Sequence, residues 1–324
     1  MTTTQESAAA MFASVTPEIV EKTYEIIRPH VRKTPVIEAF PKDFGFDLRT
    51  RQPMTFKLEF MQHGGSFKAR GAMNSVRTRE GASNGVVAAS GVNHGGAVAY
   101  AARQAGVPAN IFVPSISSPA KMRKIESFGA TLNVSGDLYA DALAASESYL
   151  ENSDAISIHA YDQDATLAGQ GTVALEFTQQ CDVDTMLVAT GGGGLIGGMA
   201  AYLQGRTKLV SVEPEASPTL HAALAAGKPV DAPGGGVAAD SLAPKQVGQK
   251  MFPFAAAYVA EAVLVTDEAI IAAQKQLWDT LRVALEPGGA AAFAALASGA
   301  YQPEPDERVG VLLCGANSHA VNFD

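Results

Sequence analysis

The chain has 324 residues, 47% of them hydrophobic and 18% charged, with a net charge of −9, which is enough for one large or two medium domains around an ordinary core. No apolar run of roughly 18 residues is present to cross a bilayer, and no Lys and Arg cluster is present to neutralise phosphates along a nucleic acid, so neither membrane nor nucleic-acid partners are expected. The opening "MTTTQESAAAMFASV" lacks a basic and continuously apolar leader, which points to the cytoplasm. Cys181 and Cys314 form no CxxC pair and suggest neither a disulfide framework nor a zinc site.

The first unusual stretch is "HGGSFKARGA", His63 to Ala72, which places Lys68 at what reads as a helix start. A helix N-terminus carries partial positive charge, so a cation there is electrostatically misplaced. One reading is a surface lysine whose stem carries its ammonium out to water. The other is an amine whose pKa is lowered by positive potential and burial, so that it is free to react.

From about residue 80 strands alternate with helices. "GVVAAS" is followed by the helical "HGGAVAYAARQAG", "ANIFVP" by "SPAKMRKIESFG", and "ATLNVSG" by "YADALAASESYLENS". "GQGTVALEFTQQC" reads as a helix. Then come "TMLVAT", a glycine turn, the helical "LIGGMAAYLQG", "KLVSVEP", an irregular "APGGGVAADSLAPKQVG" and finally "VGVLLCGAN". Such alternation implies parallel β-α units, which place ligands at the carboxyl ends of their strands.

The unusual residues fall at those ends. Gly191, Gly192, Gly193 and Gly194 join a strand to a helix, where bare N–H groups can cradle a phosphate. Gly192, Gly194 and Gly197 also satisfy GxGxxG, with Glu213 lying 21 residues after Gly192. On that motif alone a nicotinamide-dependent oxidoreductase leads. In "SGVNHGGA", Asn93 and His94 fit an ordinary helix cap and first turn. Alternatively, Ser90, Asn93 and nearby N–H groups form a nest for a carboxylate. Glu286, in "EPGGAAAF", opens another helix, as an acid should for dipole reasons alone, and Cys314 ends an apolar strand. Together these features ask for a phosphate, an electrophile for Lys68 and a neighbouring carboxylate, a description that pyridoxal 5′-phosphate joined to an amino acid fits.

With "GSFKARGA", "SGVNH", "GQGT", "GGGGLIGG", "EPGGA" and "CGAN" in that order, the sequence resembles the threonine and serine dehydratase family, which includes serine racemase, among fold-type II (tryptophan synthase β-like) pyridoxal-phosphate enzymes. The resemblance implies an α/β fold of two open, twisted, mainly parallel sheets flanked by helices. A large domain would span 1–79 and 158–324, and a small inserted domain carrying the asparagine loop would span 80–157. It further implies that Lys68 carries the cofactor, Phe67 packs beside it, and Asn93 bonds the ring's phenolic oxygen. Gly191, Gly192, Gly193, Gly194 and Leu195 would hold the phosphate, Cys314 would face the pyridine nitrogen, and Glu286 counts among the cofactor contacts. Ser90, Asn93, His94 and Gly95 would take the substrate carboxylate. A homodimer acting on a small amino acid is usual in the family.

The residue types suit loss of a β-hydroxyl. A thiol has an ordinary pKa of about 8.5 and does not hold a proton on the ring nitrogen as a carboxylate would, which makes the ring a weaker electron sink. The freed Lys68 amine would remove the α-proton, hydroxide would leave, and a 2-oxo acid and ammonia would result. Gly91 stands where serine racemases carry a serine, so little racemisation is expected, and Val92 stands where the family usually has glycine. Gly64, beside His63, occupies a place often taken by a bulkier residue, leaving room for side chains such as those of phenylserine or 3-hydroxyaspartate. "EPEASPT" resembles part of the family's cation site, with Glu213 helped by Ser217 and Thr219, and suits a hard ion such as Mg2+, Ca2+ or K+. The chain ends soon after "CGAN", leaving no room for an amino-acid-sensing domain, so a catabolic role is expected. A β-replacement enzyme on the same fold is the nearest alternative, distinguished by a product that depends on an added nucleophile.

Overall fold

Buried β-branched runs and alanine-rich helices set the architecture of the computed structural model, which describes residues 14–90, 93–117 and 119–318. In chain order the elements are α1 (Pro17–Ile27), β1 (Val36–Ala39), β2 (Met54–Lys57), α2 (Lys68–Thr78), β3 (Val86–Ala89), α3 (Asn93–Ala105), β4 (Ala109–Val113) and α4 (Pro119–Ser127). There follow β5 (Thr131–Val134), α5 (Tyr139–Glu151), β6 (Ile156–Ser157), α6 (Asp164–Gln180), β7 (Thr185–Ala189), α7 (Gly194–Leu203) and β8 (Lys208–Pro214). The last are α8 (Thr219–Ala226), α9 (Ala239–Leu242), α10 (Phe252–Tyr258), β9 (Val259–Val265), α11 (Asp267–Leu281), α12 (Pro287–Ala297) and β10 (Val309–Leu312).

Two sheets result. One has the order β1-β2-β10-β7-β8-β9, parallel throughout except for the β1–β2 pair, and the other is wholly parallel in the order β5-β4-β3-β6. Parallel sheets are covered on both faces, and β2, β7 and β10 are accordingly buried at every position. Helix α6 is buried from Thr166 to Phe177 and packs against α1, α2 and α7. A helix buried on all sides must be apolar or small all round, which "TLAGQGTVALEF" largely is.

The strands of the smaller sheet all come from residues 86–157, but its core also draws on Ile27, Val31, Ala69, Ala72, Met73, Val76 and Ile158. Helix α2, which starts at Lys68, is thus shared between the two layers. Helix α6 begins five positions before the expected "GQGT" start, at Asp164. The stretch expected to be irregular, 232–248, holds one short helix, α9. Among the described residues no helix is long and apolar enough to cross a membrane.

Candidate active site

Strand β10 lies between β2 and β7, so its carboxyl end meets the loops that follow both neighbours. Phe67 N donates to Cys314 O (3.1 Å) and Ala316 N donates to Gly65 O (3.0 Å), which ties the turn before α2 to the end of β10. That turn needs the left-handed region at Gly64 (φ 73°) and Gly65 (φ 78°). A β-carbon on Gly64 would lie no closer than 3.8 Å to Ala97 N, so backbone conformation rather than crowding requires glycine there. His63 stacks on Tyr100 with ring centroids 4.4 Å apart.

Lys68 is the first residue of α2. Its Nζ donates to Ala160 O (2.8 Å) and lies 5.2 Å from the centre of the Phe67 ring. Burial pushes the amine from its ordinary 10.5 down to about 8, with Cys314 and Glu286 opposing. The surface reading of this lysine fails because the side chain is half-buried and its amine turns inward to Ala160 O. The reactive reading gains a physical basis.

Asn93 opens α3 but does not cap it. Its Nδ2 donates to Glu286 Oε1 (2.6 Å), and its Oδ1 accepts from Asn317 Nδ2. Ser90 supplies the cap instead, its Oγ accepting from Gly95 N (2.8 Å). His94 is buried, burial pushes it down to about 3, and its neutral ring donates from Nε2 to Ile158 O (2.7 Å). Its side chain is therefore occupied within the fold, and so is the Ser90 hydroxyl. Gly91 and Val92 lie outside the described residues.

The four glycines connect β7 to α7, with Gly193 left-handed at φ 82° and Leu195 in the first turn of the helix. A β-carbon on Gly192 would come within 2.4 Å of the Tyr161 ring, and one on Gly194 within 2.7 Å of Tyr161 Cα. Only bare backbone fits, and first-turn amides have no intrahelical acceptor, so the loop presents donors suited to an anion. Glu286 precedes Pro287 at the start of α12. Cys314 is buried, its Sγ is 3.6 Å from Gly288 O, and burial pushes its thiol up to about 12, which keeps it neutral.

Glu213 lies near the end of β8. Its two oxygens accept from Leu220 N (2.6 Å) and His221 N (2.8 Å), so it caps α8 as an acid at a helix N-terminus does. Burial pushes its carboxyl up to about 7. Ser217 Oγ is buried with no hydrogen-bond partner, and Thr219 Oγ1 is 3.4 Å from Pro244 O. Among the described residues no three His, Cys, Asp or Glu side chains gather to hold a metal ion.

Several participants were not singled out in the sequence. His159 Nδ1 accepts from Asp162 N (2.9 Å), fixing the loop that presents Ala160 O to Lys68 and Tyr161 to the glycines. Asn317 lies in the quoted "CGAN" without an assigned role. It bonds Asn93, donates to Gly64 O (2.9 Å) and accepts from Lys124 Nζ of α4. Behind Lys68, Arg70 Nε and Nη2 donate to the two oxygens of Glu59 (2.9 and 2.7 Å), and Nη2 reaches Glu176 Oε1 (2.9 Å). Lys57 Nζ is 2.6 Å from the same Glu176 oxygen.

A partly neutral lysine amine after β2, a cradle of bare amides after β7 and a neutral thiol at the end of β10 between them define a site for a phosphorylated carbonyl cofactor, and pyridoxal phosphate fits this donor set. The profile of the pyridoxal-phosphate dependent enzyme family matches residues 27–315, and the chain belongs to that family. It is 35% identical over 286 residues to the L-threonine ammonia-lyase of Geobacter sulfurreducens, covering 86% of this chain and 70% of that enzyme. It is 32% identical to the phenylserine dehydratase of Ralstonia pickettii, covering 92% of this chain and 91% of that enzyme. The structure of maize serine racemase superposes with a TM-score of 0.86 at 30% identity, covering 95% of each chain. The fold is that of the fold-type II enzymes, and the nicotinamide reading of the glycine motif gives way.

Proposed function

We propose that this enzyme removes water from an L-β-hydroxy amino acid and releases a 2-oxo acid and ammonia. The observation that carries the reading is the pairing of a Lys68 amine near pH 8 with a thiol at Cys314 that stays neutral. When bound, pyridoxal phosphate supplies a carbonyl for the amine and a ring that draws electrons from the substrate's α-carbon. Lys68, once released, takes the α-proton, and its lowered pKa suits an amine that must accept and return a proton near neutral pH. The amides of Gly191, Gly192, Gly193, Gly194 and Leu195 hold the phosphate. The Asn93 amide, fixed by Glu286 and Asn317, would orient the ring. Phe67 packs against the ring.

Cys314, as a neutral thiol, would offer the ring nitrogen no negative charge, which suits loss of a β-hydroxyl. The α-carboxylate would lie against the start of α3, where the amides of Asn93 and His94 can donate to it and the Ser90 hydroxyl, which accepts from Gly95 N, keeps its own proton to give. Gly91 has no side chain to move a proton on the opposite face, which supports elimination over racemisation. The lyase relatives support the reaction class, and the family resemblance supports a homodimer.

The holoenzyme is expected to show a visible absorbance band that borohydride converts to a stable label on Lys68. Lys68→Ala is expected to lose the label and lower kcat on the order of a thousandfold. A colourless protein, or a Lys68→Ala variant with full activity, overturns the proposal.

A further inference from the structure

One group near the site has no place in the elimination itself. Lys124 belongs to α4, on the smaller sheet, yet it is half-buried and its ammonium turns inward to Asn317. Asn317 in turn bonds Asn93 and Gly64. The ammonium lies directly over the turn before Lys68, since a β-carbon built on Gly65 would be 3.1 Å from Lys124 Nζ. A lysine with only a packing role extends its head to water, and this one does the reverse.

Its electrostatic surroundings are incomplete. Among the described residues no carboxylate comes within 4.0 Å of Lys124 Nζ, and the acid that acts on it, Glu286, already accepts from Asn93. A half-buried ammonium with Glu286 near but no carboxylate in contact is incompletely compensated, and an anionic ligand in direct contact would offset that cost. The cofactor phosphate has its own cradle at the end of β7, and the α-carboxylate has the amides of α3. A second carboxylate, carried on the substrate's side chain toward the Gly64–Gly65 turn, would meet Lys124.

We propose that Lys124 is the specificity residue of this site and that the preferred substrate is a β-hydroxy amino acid whose side chain ends in a carboxylate, 3-hydroxyaspartate being the shortest. This rests on the elimination reading and deepens it. The Cα–H and Cβ–OH bonds break, water leaves, and water then hydrolyses the C=N bond, so 3-hydroxyaspartate yields one oxaloacetate and one ammonia with no other reactant. The side-chain carboxylate is untouched and serves as the handle that Lys124 grips.

The test uses the holoenzyme with both 3-hydroxyaspartate diastereomers, threonine, serine and phenylserine, each assayed for 2-oxo acid release. Calorimetric titrations with succinate and with butyrate, which differ by one carboxylate, run alongside. The expected result is the highest kcat/KM on 3-hydroxyaspartate and tighter binding of succinate than of butyrate. In Lys124→Met the kcat/KM ratio of 3-hydroxyaspartate to threonine falls about 100-fold and the succinate preference disappears, as loss of a charge-assisted hydrogen bond predicts. Lys124→Arg retains part of both and stands in should the methionine variant not fold.

A wild-type preference for threonine, serine or phenylserine overturns the inference and leaves the elimination reading standing. So does an equal loss on every substrate in Lys124→Met, which would assign the ammonium to the α-carboxylate common to all. If the cofactor-loaded protein releases no 2-oxo acid from any of them, the elimination reading falls. In that case the succinate titration alone still decides whether Lys124 selects a dicarboxylate.

Discussion

At Lys68 two physical effects act in the same direction: the N-terminal dipole of α2 and the enclosure of the amine both disfavour the ammonium. Lowering the pKa from 10.5 to about 8 raises the neutral fraction at pH 7.5 from about one in a thousand to about one in four. Only the neutral amine attacks a carbonyl, so the rate at which apoenzyme takes up pyridoxal phosphate is expected to rise about tenfold per pH unit below about 8 and to level off above it. Stopped-flow uptake at fixed cofactor concentration checks this, and a rate still climbing steeply toward pH 10.5 would show an ordinary surface lysine. The misplaced cation was legible in "HGGSFKARGA" because helix-start signals and charge are local properties. The Ala160 carbonyl that accepts its hydrogen bond was not, because nothing in "HAYDQD" marks one backbone oxygen over its neighbours.

The elements behind the site are joined by charges rather than by apolar contact alone. Lys57 of β2, Glu59 just after it, Arg70 of α2 and Glu176 of α6 are all 0% exposed, and their two positive and two negative charges cancel. Such a quartet is not strong evidence of net stabilisation, but removing one member leaves an unbalanced charge in the interior. Arg70→Met is therefore expected to cost roughly 3 to 5 kcal/mol in chemical denaturation and to loosen the seat of α2. A loss under about 1 kcal/mol would mean that the two carboxylates find water or other donors. Acid should act on the same point. Burial pushes the Glu176 carboxyl up, but Arg70 and then Lys57 outweigh it and hold it below the ordinary 4.5. Its contribution is present above that value and is lost as pH falls through the lower folded-state value. This network escaped the sequence reading because Arg70 and Glu176 stand 106 positions apart and a lone Glu on a helix ordinarily faces water. The short strands β1 and β2 escaped as well, since four residues that include Thr55 and Lys57 carry little apolar periodicity.

At the scale of the molecule, alternation of strand and helix made the parallel layers legible, and the strand-end rule put the glycines, Asn93 and Cys314 in one place. The packing between layers was less so, because α2 and Ile27 join the core of the smaller sheet from outside its strands. The cofactor contacts assigned above come from both layers: Asn93 from the smaller sheet's first helix, and Lys68, the glycine loop and Cys314 from around the six-stranded sheet. A ligand gripped by both layers binds only when they are assembled, so it stabilises the folded state by mass action. At a free concentration about 1,000 times the dissociation constant, that amounts to about 4 kcal/mol. Spread over the unfolding entropy of 324 residues, it corresponds to a Tm about 6 °C higher in the holoenzyme than in the apoenzyme. Asn93→Ala removes the smaller sheet's share of the grip and should shrink that difference while leaving the Lys68 linkage in place. Scanning calorimetry of the four samples, with and without cofactor, decides it. An undiminished difference in Asn93→Ala would confine the cofactor's hold to the larger sheet, and equal Tm values for wild-type apoenzyme and holoenzyme would show that cofactor binding does not couple the two layers at all.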